Sequence, residues 1–129
     1  MIIGLIEHDR GKLNEASLEM LTFGRGLAGQ VGAPLQAVVI GAAGRPLAER
    51  LASYGVSTVY VVEHAGLDDY APDAWAESIA QVMAATQPQV VLAAATDRGS
   101  EVLARLAAKS DLPLAANCVE VQPGEPYVV

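Results

Sequence analysis

One cysteine, five per cent aromatic residues and eight basic side chains are the scarcities in this chain of 129 residues. A single cysteine, Cys118, cannot close an internal disulfide, which fits a reducing compartment. With so few aromatics, a core must be filled by Ala, Val, Leu and Ile, as suits a parallel sheet buried on both faces. Eight Lys and Arg against fifteen Asp and Glu leave a formal charge of −7. With a pI near 4.6 and no basic cluster, such a chain repels a phosphate backbone, which argues against nucleic-acid binding. No apolar run reaches the roughly 18 residues of a membrane span. A strand pattern beginning at Ile2 leaves no room for a leader peptide. The expectation is a soluble cytoplasmic domain.

What is present is apolar content: 52% hydrophobic and 18% charged residues, enough to exclude disorder. A domain of this length buries roughly two thirds of its unfolded surface. Short aliphatic runs at Ile2–Ile6, Leu35–Ile40, Thr58–Val62 and Val90–Ala94 lack polar alternation and read as interior parallel strands. Amphipathic stretches separate them. The first helix starts near Asn14, a good N-cap, with Leu13 and Leu18 placed for a hydrophobic staple. Ala16, Met20, Phe23, Leu27 and Val31 form its apolar stripe. The second has Pro46 in its first turn and Gly55 just past its end. The third spans Pro72–Thr86 and stops before Pro88. The fourth starts at Thr96 or Asp97, buries Val102, Leu103 and Leu106, and carries a Glu101–Arg105 pair.

Alternating strands and helices with right-handed crossovers predict an α/β domain: three α/β/α layers around a mostly parallel sheet. Val119–Val121 reads as a fifth strand, residues 123–126 as a turn, and Tyr127–Val129 as the start of another strand. The expectation is therefore one domain over residues 1–129, cut before its last strands.

Gly24-Arg25-Gly26-Leu27-Ala28-Gly29 matches G-x-G-x-x-G by letter. A dinucleotide fingerprint must follow a strand and open a helix, whereas this one lies late in a helix. Its glycines read instead as places of close approach to the sheet. The turn Thr96-Asp97-Arg98-Gly99-Ser100 has the right context, after a strand and at the start of a helix. It reads as a capped helix start, with Asp97 as the competing charge. As a second reading, Thr96, Arg98, Gly99 and Ser100 form an anion or nucleotide turn. Glu7-His8 and Glu63-His64 repeat a dipeptide after the first and third strands. They lack zinc spacing and read as locally hydrogen-bonded loops rather than metal ligands. There is no G-x-S-x-G elbow, no P-loop and no catalytic constellation. Cys118 reads as a small core residue and Trp75 as a packing or interface anchor.

The stretch EHDRGKLNEASLEMLTFGRGL (Glu7 to Leu27) resembles the N-terminal signature of electron-transfer flavoprotein α subunits. The likeness continues through YGVSTVYVVEHAGLDDY (Tyr54–Tyr70) and VLAAATDRGSEVLARLAAKSDLPLAANCVEV (Val91–Val121). Ala116-Asn117 stands where many relatives have an acidic residue, and Gly24 and Gly26 replace an alanine-rich helix. The resemblance implies a Rossmann-like fold of adenine-nucleotide α-hydrolase-like topology. It also implies a heterodimer with a β subunit, and FAD held mainly by a C-terminal domain absent from this chain. The N-terminal domain would then bind no cofactor and do no chemistry. The whole protein would carry electrons from dehydrogenases, such as those of fatty acid oxidation acting on acyl-CoA, to a quinone-linked acceptor. A different class, a stand-alone adenine-nucleotide-binding stress-type domain, calls for a phosphate loop after the fourth strand. Here the G-x-x-G that directly follows a strand is Gly41 to Gly44, after the second.

Overall fold

The computed structural model describes residues 1–116, 118 and 120–124. The chain opens with β1 (Ile2–Ile6), buried along its whole length, and turns through a small antiparallel hairpin of β2 (His8–Asp9) and β3 (Lys12–Leu13). Helix α1 (Ala16–Val31) leads to β4 (Leu35–Ile40). A 3-10 stretch, Ala42–Leu47, runs into the short α2 (Ala48–Ala52), followed by β5 (Val56–Val62). Then come α3 (Pro72–Thr86), β6 (Val90–Leu92) and α4 (Asp97–Ser110).

The four long strands pair in parallel in the order β5-β4-β1-β6, with Ile2 opposite both Leu35 and Val90. Alternation along β1 and β4 divides the core in two. Ile2, Ile6, Ala37 and Val39 pack with Leu18, Leu21 and Leu27 of α1 and Leu51 of α2. Ile3, Leu5, Val38 and Ile40 pack with Trp75 and Ile79 of α3 and Val102 and Leu106 of α4. Each fully buried Leu or Ile contributes about 1.5–3 kcal/mol of hydrophobic transfer. The predicted three layers are present, α1 and α2 on one face and α3 and α4 on the other.

Several boundaries depart from expectation. Strand β5 begins at Val56 rather than Thr58, because a bulge in its pairing with β4 sets Leu35 opposite Val56 and Gln36 opposite Thr58. The extra residue, Ser57, donates its hydroxyl to the Leu35 carbonyl at 3.2 Å. Strand β6 ends at Leu92. Ala93 and Ala94 still alternate between the two cores but leave the ladder. The buried stripe of α1 is Ser17, Leu18, Met20, Leu21, Gly24, Leu27 and Ala28. Ala16, Phe23 and Val31, expected in it, sit at its margin, half-buried. Periodicity located the face but rotated it, since serine and glycine carry no apolar signal. Of the expected fifth strand, Val119 lies outside the described residues, as do Asn117 and Tyr127–Val129. Glu120 and Val121 are not in a strand. Cys118 is exposed, not a core residue, as are most of the described residues around it after α4. Among the described residues, no helix is long and apolar enough to cross a membrane.

Candidate functional site

From β1 the chain moves through β4 to β5 on one side, then crosses back to β6 on the other. The carboxyl ends of β1 and β6 therefore flank the switch point of the sheet, where ligands of open parallel sheets bind. Glu7 follows β1 directly, and Thr96 caps the helix after β6.

Glu7 is only 8% exposed. Its amide donates to Ser17 Oγ at 2.8 Å, and its carbonyl accepts from the Asn14 amide at 3.0 Å. Its carboxylate joins the starts of two helices: α1, whose N-cap residue is Glu15 and not the expected Asn14, and α4, capped by Thr96. Asn14 Oδ1 accepts from the Ala16 amide at 2.9 Å while Nδ2 donates to Glu7 Oε2 at 3.0 Å. Thr96 Oγ1 accepts from the Gly99 amide at 3.0 Å and donates to Glu7 Oε1. Each side chain satisfies a free amide at the start of its helix, and one buried carboxylate binds both. Burying that charge is tolerable because both its oxygens are hydrogen-bonded.

Next to it, His8 is 4% exposed. Its Nε2 lies 2.6 Å from the Ile40 carbonyl, and its Nδ1 accepts from the Gly11 amide at 2.9 Å. The carbonyl can only accept and the amide only donate, so the ring is the Nε2–H tautomer. Gly11 has φ +90° and Arg10 φ +50°, the positive pair that a two-residue hairpin turn requires. Arg10 also bonds Asp69 at 2.6 Å, both side chains largely exposed.

On the α4 side, the Arg98 guanidinium lies 4.5 Å from the centroid of the Tyr70 ring. The Tyr70 hydroxyl donates to Glu101 at 2.6 Å. Burial, reinforced by the Glu101 carboxylate, holds that phenol well above the ordinary tyrosine pKa. Trp75, 3% exposed, packs edge-on to Tyr70 at 5.3 Å and tilted to His8 at 6.0 Å. It is the expected packing anchor. An open cleft of about 320 Å³ is lined by Glu7, His8, Asp9, Lys12, Leu13, Asn14 and Arg98.

The structure thus brings Thr96 and Arg98 to the switch point. Gly99 is buried at the base of the turn, where a Cβ would collide with the Ala94 carbonyl; Ser100 is exposed. Thr96, not Asp97, is the capping side chain. Threonine provides both an acceptor for the helix and a donor for Glu7, which a carboxylate cannot. The two Glu-His dipeptides are not brought together, since β4 lies between their strands. Glu63 pairs with Arg45, and His64 accepts locally from Gly66 at 3.1 Å. The G-x-G-x-x-G run sits inside α1. Close approach holds for Gly24 alone, where a Cβ would lie 3.1 Å from Leu35 and Leu92; at Gly26 and Gly29 it would meet nothing within 4 Å. Sequence reasoning missed the joint role of Glu7, Asn14 and Thr96. Asn14 and Thr96 were legible separately as marks of helix starts, Thr96 alone as the N-cap residue, but only the order of the strands reveals that one carboxylate serves both.

A family model described as the electron transfer flavoprotein domain matches residues 2–129. Among similar curated proteins, the electron transfer flavoprotein subunit alpha of Megasphaera elsdenii is 32% identical over 117 residues, 91% of this chain and 35% of that protein. Its counterpart in Mycobacterium tuberculosis is 34% identical over 125 residues, 95% and 38%. The acryloyl-CoA reductase electron transfer subunit beta of Anaerotignum propionicum is 32% identical over 115 residues, 89% and 31%. The chain spans about a third of the length of these relatives.

Proposed function

This chain belongs to the electron transfer flavoprotein family, and from that premise we propose that it is the N-terminal supporting and docking domain of an α subunit. In this reading it carries no redox group and performs no reaction. The single observation that carries the reading is the match across nearly this whole chain to proteins named α subunits, of which it spans about a third. The remaining length of such a protein provides room for a separate flavin-bearing domain.

Two features of the described residues support a flavin held elsewhere. A dinucleotide at the switch point needs free amides at a helix start for its pyrophosphate. Here the Gly99 amide is taken by Thr96, and the Glu7 carboxylate stands beside it. The glycine run that matches the fingerprint lies inside α1. We therefore place FAD in the rest of the parent protein, and this domain against a β subunit in a cytoplasmic heterodimer. The assembled carrier takes electrons from dehydrogenases such as those acting on acyl-CoA and delivers them to a quinone-linked acceptor.

The test is reconstitution. Residues 1–129 expressed alone are expected to be colourless. The whole α subunit, co-expressed with a β subunit, should purify as a yellow complex. A preparation of residues 1–129 that retains stoichiometric flavin would contradict the reading.

A further inference from the structure

In a parallel sheet of this strand order, the crevice between β1 and β6 is where the N-terminus of the following helix receives an anion. In this chain an anion is already there, and it is the chain's own. We propose that Glu7 is a built-in oxyanion that closes the switch point to phosphate, and that removing its charge turns the cleft into a phosphate site. The inference rests on the geometry and is independent of the carrier reading.

Three observations converge. First, the Glu7 carboxylate is nine-tenths buried and accepts from side chains at the starts of two different helices, one hydrogen bond to each oxygen. A tetrahedral oxyanion would be met by the same donors in the same way. Second, the cleft beside it holds Lys12 and Arg98. Neither is in an ion pair among the described residues, although Arg10, Arg45, Arg50, Arg105 and Lys109 all are. The Arg98 guanidinium is instead stacked on Tyr70, which leaves its N–H fork available to a ligand. Third, the lining charges balance, with Glu7 and Asp9 against Lys12 and Arg98. Neutralising Glu7 leaves the cleft with an excess positive charge and two unpaired cap donors. A carboxylate tethered in place also competes with free anions at high effective concentration, so the native cleft stays closed to them.

The test uses the intact protein and its Glu7→Ala and Glu7→Gln variants. Each is titrated with inorganic phosphate by calorimetry, against chloride at matched ionic strength. Glu7→Ala should bind phosphate at least tenfold more tightly than the unaltered protein, and adding Arg98→Ala should abolish the gain. Should Glu7→Ala prove marginally stable, phosphate should raise its melting temperature and leave that of the unaltered protein unmoved, because a ligand stabilises only the form that binds it. Glu7→Gln keeps the shape of the side chain, removes the charge and turns one acceptor oxygen into an NH2 donor, so it should gain a smaller part of the affinity. Equal phosphate binding by the unaltered protein and both variants would overturn the proposal. So would a folded Glu7→Gln protein that binds no phosphate, together with a Glu7→Ala melting temperature that phosphate does not move.

Discussion

Thr96 donates its hydroxyl proton to Glu7 across 89 positions of sequence, tying the start of α4 to the end of β1. In the sheet of the described residues, the contact joins β1 to the helix that follows β6, its neighbour on the side away from β4. The same hydroxyl caps its own helix through the Gly99 amide. Thr96→Ala removes both bonds. The lost cap costs about 1 kcal/mol, and a buried carboxylate oxygen left without its donor adds about 1–3 kcal/mol. Thr96→Ser keeps both bonds and should cost only a fraction of that. Urea denaturation should show a lower midpoint for Thr96→Ala at an unchanged slope, and a near-native midpoint for Thr96→Ser.

Two glycines with the same helical assignment should respond to alanine with opposite sign. Gly26 is exposed on α1, and a Cβ there meets nothing within 4 Å. Gly26→Ala should stabilise the domain by about 1 kcal/mol through helix propensity. Gly99 lies where α4 leaves the sheet, and a Cβ there strikes the Ala94 carbonyl and comes within 3.1 Å of Thr96 Oγ1. Backbone cannot yield as a side-chain tip does, so Gly99→Ala should cost about 1–3 kcal/mol. Thermal or chemical denaturation of the two single variants checks both signs.

The elements were legible where one signal sufficed. Aliphatic runs marked β1 and β4 to the residue, and Pro72 with the Gln87-Pro88 stop bounded α3. Legibility failed where two distant segments decide. Ser57 belongs to β5 only because of a bulge against Leu35, and nothing local to it says so. Ser17 is wholly buried because the Glu7 amide needs its oxygen, a need invisible from α1 alone. The turn at Thr96 announced a helix start, but the carboxylate that fills its vicinity comes from the other end of the sequence. The site is thus a product of strand order, which hydrophobic pattern does not encode.

Tyr70 predicts an alkaline limit to stability. Burial first, and the hydrogen bond to Glu101 second, raise its pKa above the ordinary value of 10.0. In the unfolded chain the phenol ionises at its ordinary value. The native state therefore holds its proton longer, and the contribution is complete below about pH 10. It is lost as pH rises from there through the folded-state value. Denaturant midpoints measured from pH 8 to 11 should fall at the upper end, and Tyr70→Phe should flatten that fall. An identical slope in the phenylalanine variant would contradict the assignment.

The ring of His8 is a structural connector, and its removal should show where the hairpin draws its order. Its two nitrogens serve two backbone groups: the Ile40 carbonyl at the end of β4, and the Gly11 amide in the turn between β2 and β3. Leucine fills a similar volume but offers neither group a partner at a buried position. Each orphaned group costs about 1–3 kcal/mol. The loss should also be local in kind. The strands of the sheet keep their ladder bonds, while the Gly11 amide gains access to solvent. Hydrogen exchange of His8→Leu should therefore accelerate at Gly11 and across the hairpin by more than the global loss of stability accounts for. Protection in β1 and β4 should fall only with the global term. Uniform acceleration over hairpin and sheet alike would show instead that the ring supports the core through packing on Trp75, not the hairpin through its hydrogen bonds.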